Sequence, residues 1–368
     1  MMTDRAGQKV PNRITSGSDA ILDGLTEVAL ADENVLFFAE GVDDPSAVFG
    51  TLKGLRDRID PERLIEMPIA ENALTGIAIG ASLVGKRPVL SFHRVEFALL
   101  AMEQIVNNAA KTRYLSLGRH SVPIVIRLVM GRGWGQGPEH SQSLESMFAL
   151  VPGLKVLLPS FPADTKGMLV SAIRDNNPVI IIEHRWCHYA TENVPEGIYQ
   201  SDITGPAIVR EGQDVTLVSS SYNTLEAIRA ADYLAGHGIS LEVIDLRVVR
   251  PLNMDLICES VGKTGRLVTV DLGPVRFGVG AEIIASILSI EPDALKASPQ
   301  RLGMPDHPTP SSRGYLSGLY PDSVLMAKAA LETMDYRSAE IELILQDLVR
   351  ERSKLNLDVP DPFFKGPF

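Results

Sequence analysis

The residues best suited to chemistry in this sequence lie in one short stretch, residues 68–80, which reads PIAENALTGIAIG. Its carboxylate, Glu71, stands where a short apolar run gives way to a predicted helix that contains Gly76 and Gly80. Small side chains leave such a helix thin, so that another backbone or a flat ligand can approach it closely. Glu71 is then either a charge that complements the helix dipole, without a further function, or a buried acid aimed at a ligand nitrogen. The stretch by itself favours the first interpretation.

Two other residues share a predicted place in the fold with Glu71. Phe97 begins the helix after the next predicted strand, and His140 lies in a glycine-rich loop, residues 131–143, after the strand beyond that. In a parallel α/β sheet all three positions follow the carboxyl ends of strands, where ligands bind. Each residue alone has a structural explanation, as a helix-dipole partner, a core aromatic or a surface histidine. Their shared edge favours a binding site.

Other common catalytic and phosphate-binding motifs are absent from the sequence or weak. There is no Walker loop and no Gly-x-Ser-x-Gly motif, and the glycines of residues 131–135 lack the strand–turn–helix context of a dinucleotide fold. Gly278 and Gly280 open a predicted helix, where an anion could bind, but tight packing explains them equally well. His184 and His188 are four residues apart without an acidic partner pattern. No metal ligand is therefore predicted in this chain.

Length, charge and cysteine content exclude several classes of protein. A chain of 368 residues exceeds what one hydrophobic core usually serves, so two domains are expected. The net charge of −11 argues against nucleic-acid binding. The two cysteines, Cys187 and Cys258, suggest neither a disulfide framework nor a structural zinc site. The first twenty residues lack the apolar core of a signal peptide, and no apolar run reaches the roughly 18–20 residues that span a bilayer. We expect a soluble cytoplasmic protein.

Apolar strands that alternate with helices predict an α/β fold with two doubly wound domains, whose parallel sheets are covered on both faces. The predicted strands of the first half are 34–39, 87–92, 121–128, 155–159 and 179–183, and its helices include 20–31, 97–117, 144–150 and 162–175. The predicted strands of the second half are 214–219, 240–244 and 266–271, and its helices are 224–236, 254–262, 278–290 and 322–334. We place the first domain at 1–191, a linker at 192–205, the second domain at 206–334 and a tail at 335–368.

The tail combines a helical stripe with a proline-rich end. Ile341, Leu345 and Leu348 recur at helical spacing, whereas residues 357–368 contain three prolines and exclude a regular helix. A segment without its own core usually lies on a neighbouring surface. Docking onto another subunit is the preferred interpretation, with packing inside the chain almost equally favoured.

The sequence as a whole resembles the β subunit of the 2-oxo acid dehydrogenases, in the decarboxylating, thiamine-diphosphate-dependent component of the pyruvate and branched-chain type. The resemblance covers roughly residues 20–334 in consistent order. It is carried by residues 68–80, Arg87-Pro88, 104–111, 140–142, 152–156, 175–179, 242–247, Pro251, 263–266, 280–283 and 308–310. Jointly these motifs are specific, and they favour the functional interpretation of Glu71.

The resemblance implies a transketolase-like pyrimidine-binding domain followed by a transketolase C-terminal-like domain. It implies that Glu71 hydrogen-bonds the pyrimidine ring of thiamine diphosphate and promotes its activation, and that Phe97 stacks on that ring. Ile69 and His93 match positions that line the cofactor, His93 also facing the substrate. His140 matches the active-site histidine near the substrate.

The resemblance also implies an assembly of two α and two β subunits that share the cofactor. The diphosphate- and magnesium-binding signature of the family, Gly-Asp-Gly with a distant Asn, is missing from this chain. In this family the α subunit supplies that signature and binds the Mg²⁺. The isolated chain is therefore expected to be inactive.

Four residues depart from the family pattern. His93 and Arg94 stand where the dehydrogenases usually have neutral residues, Glu139 precedes His140, and Arg276 replaces an expected small residue. Either these residues make the substrate pocket more polar, for a substrate larger or more hydrophilic than pyruvate, or they reflect drift on a surface that faces the partner subunit. The sequence favours neither.

Three hypotheses of function follow. The first is a β subunit that, with its α partner, decarboxylates a 2-oxo acid and passes the acyl group to a lipoyl carrier on an acyltransferase. The second keeps the cofactor and transfers a carbon unit to an aldehyde or sugar, as transketolase-like or acyloin-forming enzymes do. The third is a non-catalytic assembly subunit, which the presence of Glu71, Phe97 and His140 argues against.

Overall fold

The computed structural model describes residues 12–44, 46–132, 135–357 and 364. The chain forms two compact units, the first comprising residues up to 130 together with 147–203, and the second comprising residues 131–146 together with those from 204 onward. Within the described ranges, no helix is both long enough and apolar enough to cross a membrane.

The first unit is built on a parallel sheet of strongly apolar strands. Its strands are β1 (Asn12–Ser16), β2 (Val35–Ala39), β3 (Leu64–Glu66), β4 (Arg87–Phe92), β5 (Val125–Met130), β6 (Lys155–Leu157), β7 (Val179–His184) and β8 (Thr191–Pro195). Its helices are α1 (Gly17–Ala31), α2 (Glu71–Leu83), α3 (Ala110–Leu115) and α5 (Pro162–Arg174), and a short helix, α4 (Glu145–Ala149), follows the His140 loop. Six strands run parallel in the order β6-β7-β5-β4-β2-β3, whereas β1 and β8 form an antiparallel pair.

A buried ion pair crosses the centre of this sheet. Arg127 on β5 and Glu183 on β7 are 1% and 2% exposed, and the guanidinium donates to both carboxylate oxygens at 2.7 and 2.9 Å. His188 lies 3.3 Å from the same carboxylate. Burial opposes ionisation of Glu183, but Arg127 and His188 outweigh it and lower the pKa of Glu183 to about 2. The pair fixes the register of two neighbouring strands with a charge that is fully compensated.

The prediction of one regular helix at 97–117 is wrong. The structure has a 3₁₀ segment at Val95–Ala101, a π-helical segment at Gln104–Ala109 and only then the α-helical turns of α3. In the wider π-helical turn, Asn108 reaches the side chain of Glu103, five residues earlier, at 3.2 Å. Apolar periodicity does not distinguish these helix types, and π-helical turns are frequent at functional sites.

The second unit contains a smaller sheet that is mostly parallel. The strands of this sheet are β9 (Ala207–Arg210), β10 (Val215–Ser219), β11 (Leu241–Asp245), β13 (Leu267–Pro274) and β14 (Gln300–Met304), and the short strand β12 (Val248–Arg250) lies outside it. Its helices are α6 (Tyr222–Ala235), α7 (Asp255–Thr264), α8 (Val279–Ile290), α9 (Ser323–Thr333) and α10 (Ser338–Arg352). Five strands follow the order β14-β13-β10-β11-β9, in which β9 is an antiparallel edge strand and the others are parallel. Two α/β units of this kind confirm the predicted fold class.

The structure differs from the predicted linker and tail. The stretch at 192–205 begins inside strand β8, which pairs with β1, rather than as an irregular connection. Helix α10 buries its apolar stripe in the core of its own unit, packed against α9. Arg352 at the end of α10 also pairs with Glu226 and Asp322 of that unit. This part of the tail therefore packs within the chain, while residues 358–363 and 365–368 of the proline-rich end lie outside the described residues.

The packing of α10 predicts a large loss of stability on substitution of Leu345 by alanine. Leu345 is 3% exposed in the core of the second unit, so truncation to alanine leaves a cavity and should lower the free energy of unfolding by about 2–5 kcal/mol. Chemical denaturation followed by circular dichroism measures the change.

The matched control is Leu343→Ala. Leu343 lies on the same helix but is 68% exposed, so its truncation should change the free energy of unfolding by about 0.5 kcal/mol or less. Equal destabilisation by the two variants would contradict the in-chain packing of α10.

Candidate functional site

Glu71 is the first residue of helix α2 and is almost completely buried. Its side chain is 2% exposed, and its Oε1 atom has no hydrogen-bond partner among the described residues. The residue before it, Ala70, offers no side-chain cap to the helix, whereas the backbone oxygen of Glu71 accepts a bond from the Thr75 hydroxyl at 2.7 Å. A carboxylate that served only the helix dipole would be expected at an exposed first turn. The burial of Glu71 favours a ligand-directed acid.

A second buried carboxyl, Glu40, stands beside Glu71. It follows β2, is 6% exposed, and its Oε1 also lacks a partner among the described residues. Burial first, and then the negative charges of Glu71 and Glu66, raise the pKa of Glu40 to about 7. Glu40 therefore holds a proton over much of the neutral range, next to the predicted catalytic acid.

The third acid of this edge, Glu66, has a different environment. Its carboxylate accepts the backbone N–H groups of Gly41 and Val42 at 2.8 and 2.6 Å. These bonds fix the turn that follows β2 to the end of β3. Glu66 thus supports the loop beside Glu40, while the carboxyls of Glu40 and Glu71 keep free oxygen atoms.

Phe97 lies in the 3₁₀ segment that packs against α2. Asn72 donates its side-chain amide to the backbone oxygen of Leu100 at 3.3 Å and accepts from Gln104 at 3.4 Å. The residue after Glu71 therefore holds the segment that carries Phe97. Phe97 itself is half-buried, so one part of the ring remains accessible.

His93 follows β4 at the same edge of the sheet. Its ring packs edge-on against Phe49 with 5.7 Å between centroids. Burial lowers the pKa of His93, although the negative charges of Asp44 and Glu66 oppose this shift. A Cβ at Gly41 would lie 2.7 Å from the imidazole Cε1, and Gly41 has φ +72°, so only glycine fits beside His93. Ile69, by contrast, is 85% exposed in this chain.

Two buried arginines gather behind His93. Arg94 and Arg185 are 5% and 1% exposed, and their guanidinium carbons lie 5.7 and 4.2 Å from the centre of the Phe49 ring. Burial lowers the pKa of Arg185 to about 10, and the positive charge of Arg94 acts in the same direction, whereas a hydrogen bond with Tyr189 opposes it. The two guanidinium groups therefore share one aromatic partner.

The remaining departures from the family pattern lie at the surface. Arg276 is exposed and pairs with Asp306 at 3.1 Å, and Glu139 is exposed as well. Of the four unusual residues, His93 and Arg94 are therefore the ones that the fold encloses.

His140 belongs to the second unit. Residues 131–146 group with the residues after 204 rather than with the sheet that carries Glu71, although the sequence placed them in the first domain. Arg132, at the start of this segment, is buried with its guanidinium carbon 3.9 Å from the centre of the Tyr320 ring. Sequence patterns contain no sign of this contact, which joins residues far apart in the chain.

Two other sequence motifs have structural explanations. The carboxylate of Asp271 accepts the backbone N–H of Gly280 at 2.9 Å, and a Cβ at Gly278 would lie 2.3 Å from the Asp271 Oδ2. These glycines make room for a carboxylate of the chain itself. His184 accepts the N–H of Trp186 at 3.1 Å, and His188 contacts Glu183.

The first unit fits the pyrimidine end of thiamine diphosphate. A buried acid with an oxygen that lacks a protein partner, a half-buried aromatic ring and an exposed apolar side chain suit a flat, partly polar heterocycle. The described residues contain no cluster of three or more His, Cys, Asp or Glu side chains that could hold a metal ion. Glu40 is the residue of this edge that sequence reasoning missed; its only signal was a carboxylate directly after a buried strand.

Comparisons with known proteins agree with this geometry. The sequence matches two families, described as "Transketolase, pyrimidine binding domain" over residues 15–187 and "Transketolase, C-terminal domain" over residues 206–322. A solved structure described as "Split gene transketolase, inactive beta4 tetramer" superposes with a TM-score of 0.69 at 25% identity, covering 87% of this chain and 98% of that one.

Curated relatives are similar over most of their length. The β subunit of acetoin:2,6-dichlorophenolindophenol oxidoreductase from Cupriavidus necator is 41% identical, over 80% of this chain and 88% of the relative. The mitochondrial pyruvate dehydrogenase E1 component β subunit of Saccharomyces cerevisiae is 36% identical, over 86% of this chain and 88% of the relative. The corresponding β-2 subunit of Oryza sativa is 40% identical over 79% of each chain. The chain therefore belongs to the transketolase-like family of β subunits of thiamine-diphosphate-dependent 2-oxo acid dehydrogenase E1 components.

Proposed function

We propose that this chain is the β subunit of an enzyme that decarboxylates a 2-oxo acid on thiamine diphosphate and passes the acyl group to a lipoyl carrier. The observation that carries the proposal is Glu71, a buried acid at the carboxyl edge of a parallel sheet whose Oε1 lacks a partner among the described residues. A family relationship at 41% identity over 80% of the chain supports the same chemistry.

Each residue of the edge has a distinct part in this proposal. When bound, thiamine diphosphate supplies a nucleophilic carbon that adds to the carbonyl of a 2-oxo acid. Glu71 holds a proton at the nitrogen of the pyrimidine ring, and the dry surroundings strengthen this hydrogen bond. Phe97 stacks on the ring and Ile69 covers it, while His93 and His140 face the substrate. Glu40 stands beside Glu71, and its pKa of about 7 allows Glu40 both protonation states near neutral pH.

An α subunit completes the site in this proposal. It would supply the diphosphate-binding signature and the Mg²⁺, within an assembly of two α and two β subunits. The thin helix α2 and its neighbourhood expose large apolar side chains, with Ile69 at 85%, Ile77 at 57% and Leu100 at 60%. Apolar surface of this kind is typical of a subunit interface. A lipoyl acyltransferase would be the further partner.

A second candidate function is formation or cleavage of an acyloin, or transfer of a carbon unit to an aldehyde or sugar. His93 and Arg94 favour it, because the fold encloses both and they stand where the dehydrogenases usually have neutral residues, which suits a substrate more polar than pyruvate. The C. necator relative acts on acetoin, as its name states. Dye reduction by the co-purified α and β subunits, measured with pyruvate, branched 2-oxo acids and acetoin in parallel, decides between the two candidates.

We place the protein in the cytoplasm. Neither Cys187 nor Cys258 forms a disulfide bond, as expected for a protein from a reducing compartment. Some of its relatives are mitochondrial, so fractionation of the source cells tests this location.

Substitution of Glu71 by alanine should abolish activity of the reconstituted complex and leave its assembly intact. Loss of a positioned acid typically costs about 10²–10⁴-fold in rate. Turnover is measured by dye reduction, and assembly by size-exclusion chromatography. The matched control is Glu33→Gln, which neutralises an exposed carboxylate of the same unit and should leave turnover unchanged. Undiminished turnover of Glu71→Ala would refute the assignment of the acid.

Titration of thiamine diphosphate into the isolated chain should give little binding, because the diphosphate and Mg²⁺ are assigned to the partner. Isothermal calorimetry with and without the α subunit measures the difference, with Mg²⁺ present in both titrations. Tight binding by this chain alone would overturn the shared site.

A further inference from the structure

The segment that carries His140 is fastened to the second unit at three places. Arg132 stacks on Tyr320 at its start. In the middle, a Cβ at Gly137 would lie 2.3 Å from the Oγ of Ser311, so the backbone passes directly over that residue. At its end, Glu145 reaches strand β13, where its carboxyl accepts the backbone N–H of Gly273. His140 lies between the second and the third of these contacts.

The contact at Glu145 is close and buried. Glu145 is 3% exposed, and a Cβ at Gly273 would lie 3.7 Å from its Oε1 and 3.2 Å from the backbone oxygen of Ser143. The backbone of strand β13 at Gly273 therefore lies close to both the backbone of Ser143 and the side chain of Glu145. No other carboxylate of residues 131–146 is buried, since Glu139 is exposed.

Beside this contact is a cavity of about 10 Å³ that Glu145, Thr269 and Asp271 line together. One oxygen of each, the Glu145 Oε2, the Thr269 Oγ1 and the Asp271 Oδ2, has no hydrogen-bond partner among the described residues. The other Asp271 oxygen is held by Gly280 at 2.9 Å. A cavity of this size suits about one water molecule, which three oxygen atoms can bind.

The charges around the cavity oppose ionisation of both acids. Burial, followed by the charge of Asp271, raises the pKa of Glu145 to about 7, although the N–H of Gly273 opposes the shift. Burial raises the pKa of Asp271 to about 6, against the N–H of Gly280 and the positive charge of Arg301 on β14. Two carboxylates at one dry cavity repel each other, so a proton on Glu145 relieves the repulsion.

We propose that Glu145 is a positioning residue, which in its protonated form fixes the His140 segment against strand β13. The proposal deepens the proposed function, because it rests on His140 facing the substrate. Glu145 acts through the backbone between itself and His140, five residues away.

The pH dependence of this contact follows from the two states of Glu145. In a released segment the carboxyl ionises near its ordinary pKa of 4.5, and in the fastened segment near 7. The contact is therefore strongest below pH 4.5, weakens as the pH rises from 4.5 to 7, and is weakest above 7. Between pH 6 and pH 8 this shift predicts a rise of about tenfold in the population of the released segment.

Hydrogen exchange of the complex with its α subunit tests the contact directly. In the wild type, peptides covering 135–146 should exchange about tenfold more at pH 8 than at pH 6, after correction for the intrinsic rate. Glu145→Gln keeps an acceptor for the Gly273 N–H without the charge, and should exchange slowly at both values. Glu145→Ala loses the contact and should exchange rapidly at both. Glu259→Gln, an exposed carboxylate on α7, is the control and should behave as the wild type.

The pH profile of turnover provides the second readout. In the wild type, kcat/KM should decline as the pH rises towards 7 and 8. Glu145→Gln should retain kcat and lose that decline. Glu145→Ala should lower kcat at least tenfold at every pH. A general structural defect would lower both variants alike and leave the shape of the profile unchanged. That outcome, or exchange in Glu145→Gln as fast as in Glu145→Ala, would overturn the proposal.

The two readouts separate this proposal from the function on which it rests. If no 2-oxo acid or acyloin supports turnover but the exchange pattern is as expected, the proposed function fails and the contact of Glu145 stands. If the complex turns over but exchange at 135–146 is the same at both pH values, the role of Glu145 fails and the function stands.

Discussion

The burial of carboxyl groups at the ends of parallel strands is the constraint on which the functional features of this protein depend. The central strands are mostly apolar and buried, so a carboxyl group within or directly after one of them, such as Glu183 or Glu40, enters a nearly dry environment. What happens to that residue depends on its partner. Glu183 is fully enclosed but bonded to Arg127, and its pKa falls to about 2. Burial and the charges of Glu71 and Glu66 instead raise the pKa of Glu40 to about 7. The same burial thus accompanies an ionised carboxylate at Glu183 and a carboxyl at Glu40 that can be protonated near neutral pH.

This difference separates acids that stabilise the fold from acids that can bind a ligand. Glu183 stabilises the register of β5 and β7. Both of its oxygen atoms are bonded to Arg127 or His188, so neither is left for a ligand. Glu71 and Glu40 each keep an oxygen atom that the described residues do not satisfy. An unsatisfied buried carboxyl destabilises a fold, and it is retained where a ligand completes its hydrogen bonds. The pair at the end of β2 and the start of α2 meets that condition.

Much of this arrangement could be predicted from the sequence, because it follows from local patterns. Continuous apolar runs and small residues located the strands and helix α2, and the position of Glu71 after a strand pointed to the carboxyl edge. Glu40 was missed because a single carboxylate before Gly41 is also ordinary turn chemistry. Its significance depends on Glu71 and Glu66, which are distant in sequence and adjacent in space. The 3₁₀ and π-helical turns around Phe97 were missed for a related reason, since the apolar spacing of these turns is close to that of an α-helix.

The cofactor end and the substrate end of such a protein are under different physical demands. A flat heterocycle requires a buried acid and an aromatic face wherever it binds, so Glu71 and Phe97 are recognisable from the sequence of one chain. The residues beside a substrate have only to complement the group that a particular substrate carries, and in this chain His93 and Arg94 stand where the dehydrogenases usually have neutral residues. The chemistry of the family can therefore be inferred from its cofactor residues, whereas the identity of the substrate depends on side chains that differ between its members.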